Sequence, residues 1–493
     1  MSRRASSQRG RQRPTAEPNN ARPRLSLLSE AQKAQVHGYA LRILAETGVR
    51  VDSPGVLRFL EQKLGAKASA LLSADVLRLP AEVVEAAIHS APKVIEVFDR
   101  SGNAVFRLGD DRLRFGIGVT ALFYQEPLTD DLTPFTRRHM QDMVRLGSAL
   151  PHYDVISTVG IVQDVPVAQT DLYASLEMIA NTTKALVLLV SDETQFPAVL
   201  DMFETLHGDL AARPFVLPYF NPVSPLVVNE GTADKLKVAV ERGLPIIYSN
   251  YSMAGASTPL TPAGTLALLL AELLAGLTIS QLIRPGAPIS LGMLPVYFDM
   301  KTMMNFYDPQ SVLINLACAE MMAHYGLPHT GTSGSGTGWG MDLIAADTYW
   351  LNALSFSLTK GGLAPFIGDT LGSKAISPLT IVHVHEIIDQ ARRFADGFQL
   401  DDAHAVLDEI HAAGPGGHFL TTPSTLERYK TGYYTSPLYP HWSMETWLLE
   451  QQPAAQRILR DRTVALLRDS PAPDDHDDLL ARGQAFIDGR GGA

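Results

Sequence analysis

At 493 residues the chain can hold one large domain with extensions or two domains, since a single core stops growing near ~250–300 residues. Its composition, 46% hydrophobic and 19% charged, is ordinary for an α/β protein, and a net charge of −11 excludes the basic face that a nucleic-acid partner would need. Cys318 is the only cysteine, which excludes disulfides within the chain and cysteine-built zinc sites and fits a reducing, cytoplasmic compartment.

In chain order, residues 1–24 come first. They hold seven Arg and no Leu, Ile, Val, Phe, Tyr or Trp, so they are expected to form a disordered tail. Arg3–Arg4 is followed by no apolar segment and does not read as an export signal. Residues 25–149 read as an N-terminal helical and mixed extension, with amphipathic helices at 29–47 and 81–91.

From about residue 150, short apolar runs alternate with helices. "YDVISTVG", "KALVLLVS", "PFVLPYF", "LPIIYSN", "APISLGML", "LPHTGT" and "LAPFIGD" are each followed by a helical pattern. An eighth run, "GGHFLTT" at 416–422, follows a helix expected at 402–413. Such alternation indicates a parallel sheet covered on both faces, and eight units favour a closed (β/α)8 TIM barrel at 150–425 over an open doubly wound sheet. Residues 426–493 read as a C-terminal helical extension. No run reaches the ~18 uninterrupted apolar residues of a membrane helix, since Glu272 interrupts 263–279, and no membrane contact is expected.

The segments after the strands of such a barrel form its functional face. They would place Asn221, Tyr251, Met293, His329 and Asp369 around one cavity. The stretch "YSMAGASTPLTPAG" (251–264) stops abruptly between a strand and a long apolar helix, as a rim loop would. Familiar motifs do not match. "GTSGSGTGWG" has Gly334 and Gly336 but no third glycine in register, and no Walker lysine is present. His383 and His385 point about 200° apart on a helix and cannot share a metal, so no metal site is expected. A Schiff-base lysine at Lys184 would lie at the wrong barrel face, and Lys360 is the other candidate. Glu272, about 16 Å along its helix from Thr261, reads as a structural carboxylate.

The rims do offer aromatic rings: Phe123, Tyr124, Tyr219, Phe220, Tyr251, Phe298 and Trp339. Several converging on one cavity would hold a quaternary ammonium through cation–π attraction of ~0.5–2 kcal/mol per ring. Rim-to-barrel packing is the other use of such rings.

The chain resembles the trimethylamine methyltransferase family from about residue 30 onward. The matching stretches are "HGYALRILAETGVRVDSPGVLRFL" (37–60), "YQEPLTDDLTPFTRRHMQDMVRLGSALPHYDVIS" (124–157), "FNPVSPLVV", "SMAGASTPLTPAGTLALLLAELLAGLTISQLIRPGAPIS" (252–290), "RRFADGF" and "IHAAGPGGHFLTTPSTLERY" (410–429). The resemblance implies a (β/α)8 barrel that passes a methyl group to the Co(I) of a corrinoid (cobalamin) carried by a separate protein. Trimethylamine enzymes of the family use pyrrolysine, whose place falls in the Gly331–Gly340 loop, and this chain has none. Further departures are Ile344 and Thr348 after Asp342, His383 and His385, and Ser424–Thr425. A quaternary amine such as glycine betaine already carries a tetravalent nitrogen and fits a site without pyrrolysine.

The resulting expectations name Asp369 and Asn221 as candidate catalytic groups. Tyr251, Phe298 and Trp339 are expected to cage the cation, with Tyr219 and Phe123 in reserve, and His329 and His418 (on the eighth strand) to receive a carboxylate. A homo-oligomer is expected. A non-catalytic barrel that binds such a cation, or a lysine-dependent lyase or aldolase, are the alternatives.

Overall fold

A computed structural model describes residues 19–331, 338–359 and 361–490. Its centre is a ring of parallel strands: β1 (Leu113–Ile117), β2 (Val155–Ser157), β3 (Ala185–Leu188), β4 (Val216–Phe220), β5 (Ile246–Ala254), β6 (Ile289–Asp299) and β7 (Gly362–Ile367). The eighth position is a minimal strand in which His329 bridges Leu291 of β6 and Thr330 bridges Leu363 of β7. β7 pairs with β1, so the ring closes and the open-sheet alternative falls away. Each position is followed by a helix: α1 (Arg137–Ala149), α2 (Thr170–Asn181), α3 (Phe196–His207), α4 (Glu230–Glu241), α5 (Pro262–Ile283), α6 (Pro309–Tyr325), α7 (Leu343–Ser357) and α8 (Pro378–Asp396). The architecture is the expected (β/α)8 barrel.

The ring begins one strand earlier than the sequence pattern indicates. β1 lies within 25–149, the stretch read as an extension, so the barrel spans 113–396 rather than 150–425. Arg112 and Arg114 disguise this strand. Arg114 is nevertheless buried, because its guanidinium reaches Asp110 at 2.7 Å and its charge is matched inside the wall. The "GGHFLTT" run is not a strand; it is exposed and lies in turns before a short helix at Pro423–Arg428. The expected helix at 402–413 is present as two pieces, Asp402–Ala405 and Leu407–Ala413.

Alternation along the strands sorts two cores. Inward-facing Val155, Ala185, Val187, Leu217, Ile247 and Leu363 pack on the hairpin Ile95–Phe98/Ala104–Leu108, which plugs the floor of the barrel with Ile95, Val97, Phe106 and Leu108. Outward-facing residues pack on the helices. The ring is tight at Gly292, where an added Cβ would lie 1.4 Å from the Thr330 carbonyl oxygen. Only glycine lets β6 approach the two-residue strand this closely.

α5 is apolar on all sides, and such a helix must be covered all round. It is the one helix among the described residues long and apolar enough to cross a membrane, and 89% of its apolar window is buried in the fold. The barrel covers one side, with Gly276 lying against the ring of Tyr248, and the N-terminal helices Glu30–Arg42 and Ala81–Ser90 cover the other. Glu272 in its middle is structural, as expected. Ser224 Oγ, the Leu226 amide and Asn250 Nδ2 donate to it at 2.8–2.9 Å, while burial raises its pKa.

Residues 19–24, assigned to the disordered tail, are docked. Asn20–Ala21 pair antiparallel with Phe398–Gln399, and Asn20 Nδ2 and Arg22 Nε donate to the Asp396 carbonyl. Helices Ala455–Asp469 and His476–Arg490 close the chain across α8 and α2.

Candidate active site

β5 and β6 stay paired over nine positions, from Ile246↔Ile289 to Ala254↔Tyr297, and so rise above the ring as a tongue. β6 then turns back as Met304–Phe306, antiparallel to Tyr297–Asp299. This hairpin forms one wall of the mouth. The facing wall is a small sheet in which Asp369–Thr370, Ala375–Ile376, Phe123–Gln125 and Leu132–Pro134 pair in turn.

Between the walls lies a cavity of about 370 Å³. Val296, Asn305, Phe306, Tyr307 and Met304 line the hairpin side, Leu371, Gly372 and Ser373 the opposite side, and Gly338, Trp339 and Ile344 the lid. Trp339 is pinned through its backbone. Its N–H donates to Asp342 Oδ2 at 2.9 Å and its carbonyl accepts from Gln125 Nε2 at 2.9 Å. Asp342 also caps α7 by accepting the Ala345 amide at 2.9 Å, so one carboxylate fixes both the helix start and the lid. Trp339 is 74% exposed and lies between this cavity and an outer cleft of about 500 Å³ that also meets Asp130, His383, Tyr439 and Arg460.

Tyr251 is held at two points. Its amide donates to Asn221 Oδ1 at 3.1 Å, and its hydroxyl is bonded by Asn305 Nδ2 of the hairpin. Burial raises its pKa, with the charge of Asp369 adding to the shift. Asp369 is fully buried and accepts from Tyr349 Oη at 3.2 Å and Ser373 Oγ at 2.6 Å. The mouth therefore combines an aromatic wall with the lining Ser373, which is bonded to the buried Asp369 behind it.

Of the residues singled out from sequence, Trp339 lines the cavity, Tyr251 and Asp369 bond the lining residues Asn305 and Ser373, and Asn221 is linked through the Tyr251 amide. Phe298 is half-buried within the hairpin wall, opposite Asn305, and does not line the cavity. Tyr219 sits inside the barrel, edge-on to Phe366 at 5.0 Å, with its pKa raised by burial. Phe123 lies on the outer strand beside Ala375, partly exposed. None of these three lines the cavity, and His329, Met293 and His418 also differ from expectation. His329 and Met293 occupy outward positions, because strand alternation turns them to the helix layer. Burial lowers the His329 pKa to about 4, and its ring stacks on Phe356 of α7. Met293 packs in the helix-facing core. His418 is exposed, on no strand, in the segment after α8.

Among the other candidates, Lys184 donates to the Gly147 and Leu150 carbonyls at the N-terminal side of β3, where burial lowers its pKa to about 8. His383 bonds Tyr439, whereas His385 packs on His152 with ring centres 4.4 Å apart, so the two do turn to different neighbours. Gly334, Gly336 and Lys360 lie outside the described residues. Sequence reasoning missed Asn305, Phe306, Tyr307 and Ser373. The alternation in "VYFDMKTMMNFY" around a polar turn was the available signal for the hairpin.

The model of the family trimethylamine methyltransferase (MTTB) matches residues 1–492. The chain belongs to this family. It is a methyltransferase by that membership, and its relatives include a glycine betaine methyltransferase of Desulfitobacterium hafniense (strain Y51), 26% identical over 95% of this chain and 98% of that one. A trimethylamine methyltransferase MttB of D. hafniense (strain DSM 10664 / DCB-2) is 25% identical over 86% of each chain. MttB of Methanosarcina barkeri (strain Fusaro / DSM 804) is 22% identical over 94% of this methyltransferase and 95% of its own length. Among solved structures, the monomethylamine methyltransferase MtmB of Methanosarcina barkeri superposes with a TM-score of 0.51 over 90% of this chain and 88% of that one. At 9% identity that likeness speaks for the fold alone.

Proposed function

We propose that this methyltransferase removes a methyl group from a quaternary amine of the glycine betaine type and passes it to the Co(I) of a corrinoid held by a separate protein. The observation that carries the reading is the mouth cavity, lined by the rings of Trp339, Phe306 and Tyr307 and by Ser373, whose hydroxyl donates to the buried Asp369.

The tetravalent nitrogen leaves as a neutral tertiary amine when the C–N bond breaks. The C–N electron pair stays on nitrogen, and the acceptor supplies the pair that forms the new bond to the methyl carbon. No proton moves, so the protein's part is to hold the cation, aim one methyl outward and exclude water. Positioning and fixed charge supply such a barrier reduction. In this reading Trp339 and the hairpin rings hold the cation, Asp369 balances its charge, and Asn221 positions Tyr251. The identity of the first relative as a glycine betaine methyltransferase supports the substrate class.

The test is methylation of a reduced corrinoid protein, followed by absorbance, across a panel of methylated amines. Turnover of glycine betaine or another quaternary amine, with little from trimethylamine, is expected. Equal turnover of trimethylamine removes the substrate class, and no methylation with any amine removes the reaction.

A further inference from the structure

A betaine brings a carboxylate as well as a cation, and a carboxylate taken from water needs donors. Among the described residues the cavity lining holds no Lys, Arg or His, so those donors are neutral. Ser373 is not one of them, because its hydroxyl proton goes to Asp369 Oδ2 at 2.6 Å. Neither is His329, buried with its ring on Phe356, nor His418, exposed beyond α8.

Asn305 and Tyr251 do supply donors. Asn305 stands on the returning strand of the hairpin, opposite Phe298, and lines the cavity. Its side chain reaches toward the facing wall, where a Cβ at Gly372 would lie 3.6 Å from Asn305 Oδ1. Asn305 Nδ2 donates to the Tyr251 hydroxyl. A primary amide nitrogen carries two protons, and a phenol keeps its own proton while accepting another. One bond between them therefore leaves an N–H on Asn305 and the O–H of Tyr251 to donate. Neither finds a further acceptor among the described residues. Burial raises the Tyr251 pKa, so the phenol holds its proton at neutral pH. The two donor atoms are bonded to each other, close enough to meet both oxygens of one carboxylate as a guanidinium fork does. Both are also set before a ligand arrives, Tyr251 by its amide bond to Asn221 and Asn305 by strand register, so little freedom is lost on binding.

We infer that Tyr251 and Asn305 form the carboxylate-binding end of the site and select betaines over quaternary amines that carry no carboxylate, an inference that rests on the amine reading above. Tyr251 then works through its oxygen, not as a ring of the cage. The selection is made by neutral donors, which accept a carboxylate without adding a positive charge that would repel the ammonium.

Calorimetric affinities for two ligands test it: glycine betaine, and isobutyltrimethylammonium, in which methyl groups replace the two carboxylate oxygens. Tyr251→Phe should weaken glycine betaine roughly ten- to hundredfold, the range of a hydrogen bond to a charged group, and leave the carbon analogue within about twofold. In Asn305→Asp the new carboxylate takes the Tyr251 proton and repels that of the ligand. Glycine betaine should there lose roughly tenfold or more, while the carbon analogue, facing an added negative charge, should bind as tightly as before or more tightly. Both ligands report on the same folded fraction, so the ratio of their affinities stands even where a variant is partly unfolded. Equal losses for the two ligands, or a glycine betaine affinity unchanged in either variant, would overturn the inference. A wild-type chain that binds the carbon analogue but not glycine betaine would overturn it and leave the cation site standing. A wild-type chain that binds neither would remove the amine reading itself, and this inference with it.

Discussion

The side-chain carbonyl of Asn221, at the end of β4, accepts the backbone amide of Tyr251 near the end of β5 at 3.1 Å. With the Asn305 amide on its hydroxyl, Tyr251 is fixed at its backbone by one strand and at its oxygen by the hairpin. Asn221 thus acts through Tyr251, as a positioning residue in the proposed site.

Asn221→Ala should therefore leave the Tyr251 amide without its acceptor, costing about 1–3 kcal/mol in stability. Asn221→Asp keeps an acceptor and should recover most of this loss. Urea midpoints check the stability, and KM against kcat checks the role. A positioning residue should raise KM for the amine in the Ala variant and restore it in the Asp variant. A purely structural one would shift the midpoint alone.

Much of this mouth was legible in the sequence, because strand-then-stop patterns mark barrel rims. Asn221, Tyr251 and Asp369 lie at strand ends beside the mouth, whereas Trp339, which lines the cavity, follows the glycine-rich stretch after "LPHTGT". His329 and Met293 do not reach the mouth, since adjacent strand positions face opposite sides; Met293 lies in an apolar run that hides which is which, and His329 belongs to a strand of two residues with no alternation to read. β1 escaped because Arg112 and Arg114 break its apolar pattern, and only the tertiary pairing of Arg114 with Asp110 and Asp154 makes a buried arginine tolerable. The "GGHFLTT" run took its place in the pattern because exposed apolar residues after α8 read like a strand core. The hairpin rings Phe306 and Tyr307 were missed for a simpler reason. Their role depends on a chain reversal at Asp299–Met304 that brings two rim segments together.

Stability should fall as pH drops from about 6.5 toward 4. Burial holds His329 and His383 at about 4 and, with neighbouring His152 adding to the effect, His385 at about 3, all below the usual imidazole range. Between those values and ~6.5 the unfolded chain binds protons that the native chain refuses, so the stability present above about 6.5 is lost on acidification. For His329 alone the loss is on the order of 3 kcal/mol. Urea midpoints measured across this range should drop, and His329→Gln should flatten the dependence. An equal slope in wild type and variant would show that His329 does not contribute.

Truncation should separate two parts of the N-terminus. Removing residues 1–18, whose composition gives them little to bury, should leave the melting temperature unchanged. Removing residues 1–24 also takes away the Asn20–Ala21 pairing with Phe398–Gln399 and the two donors to the Asp396 carbonyl. That larger deletion should cost roughly 1–3 kcal/mol, seen as a melting temperature lower by several degrees. Equal melting temperatures for the two deletions would mean that the docked strand adds nothing.

Trp339 gives the sharpest test of the cation reading. Its ring forms part of the cavity wall, but 74% of the residue is exposed, so its attraction for a cation belongs at the exposed end of the range, about 0.5–1 kcal/mol. Trp339→Ala should then weaken binding of a quaternary amine about two- to fivefold. Trp339→Phe should lose less, because a smaller π face is kept. Both variants should melt like the wild-type chain, since the Trp339 backbone, not its ring, makes the bonds to Gln125 and Asp342. A neutral isostere in which carbon replaces the quaternary nitrogen should bind weakly to the wild-type chain and be unaffected by either change. Calorimetric affinities for the charged and neutral ligands check this directly. Equal losses for both ligands would assign Trp339 to shape rather than charge, and full affinity in Trp339→Ala would take it out of the cage altogether.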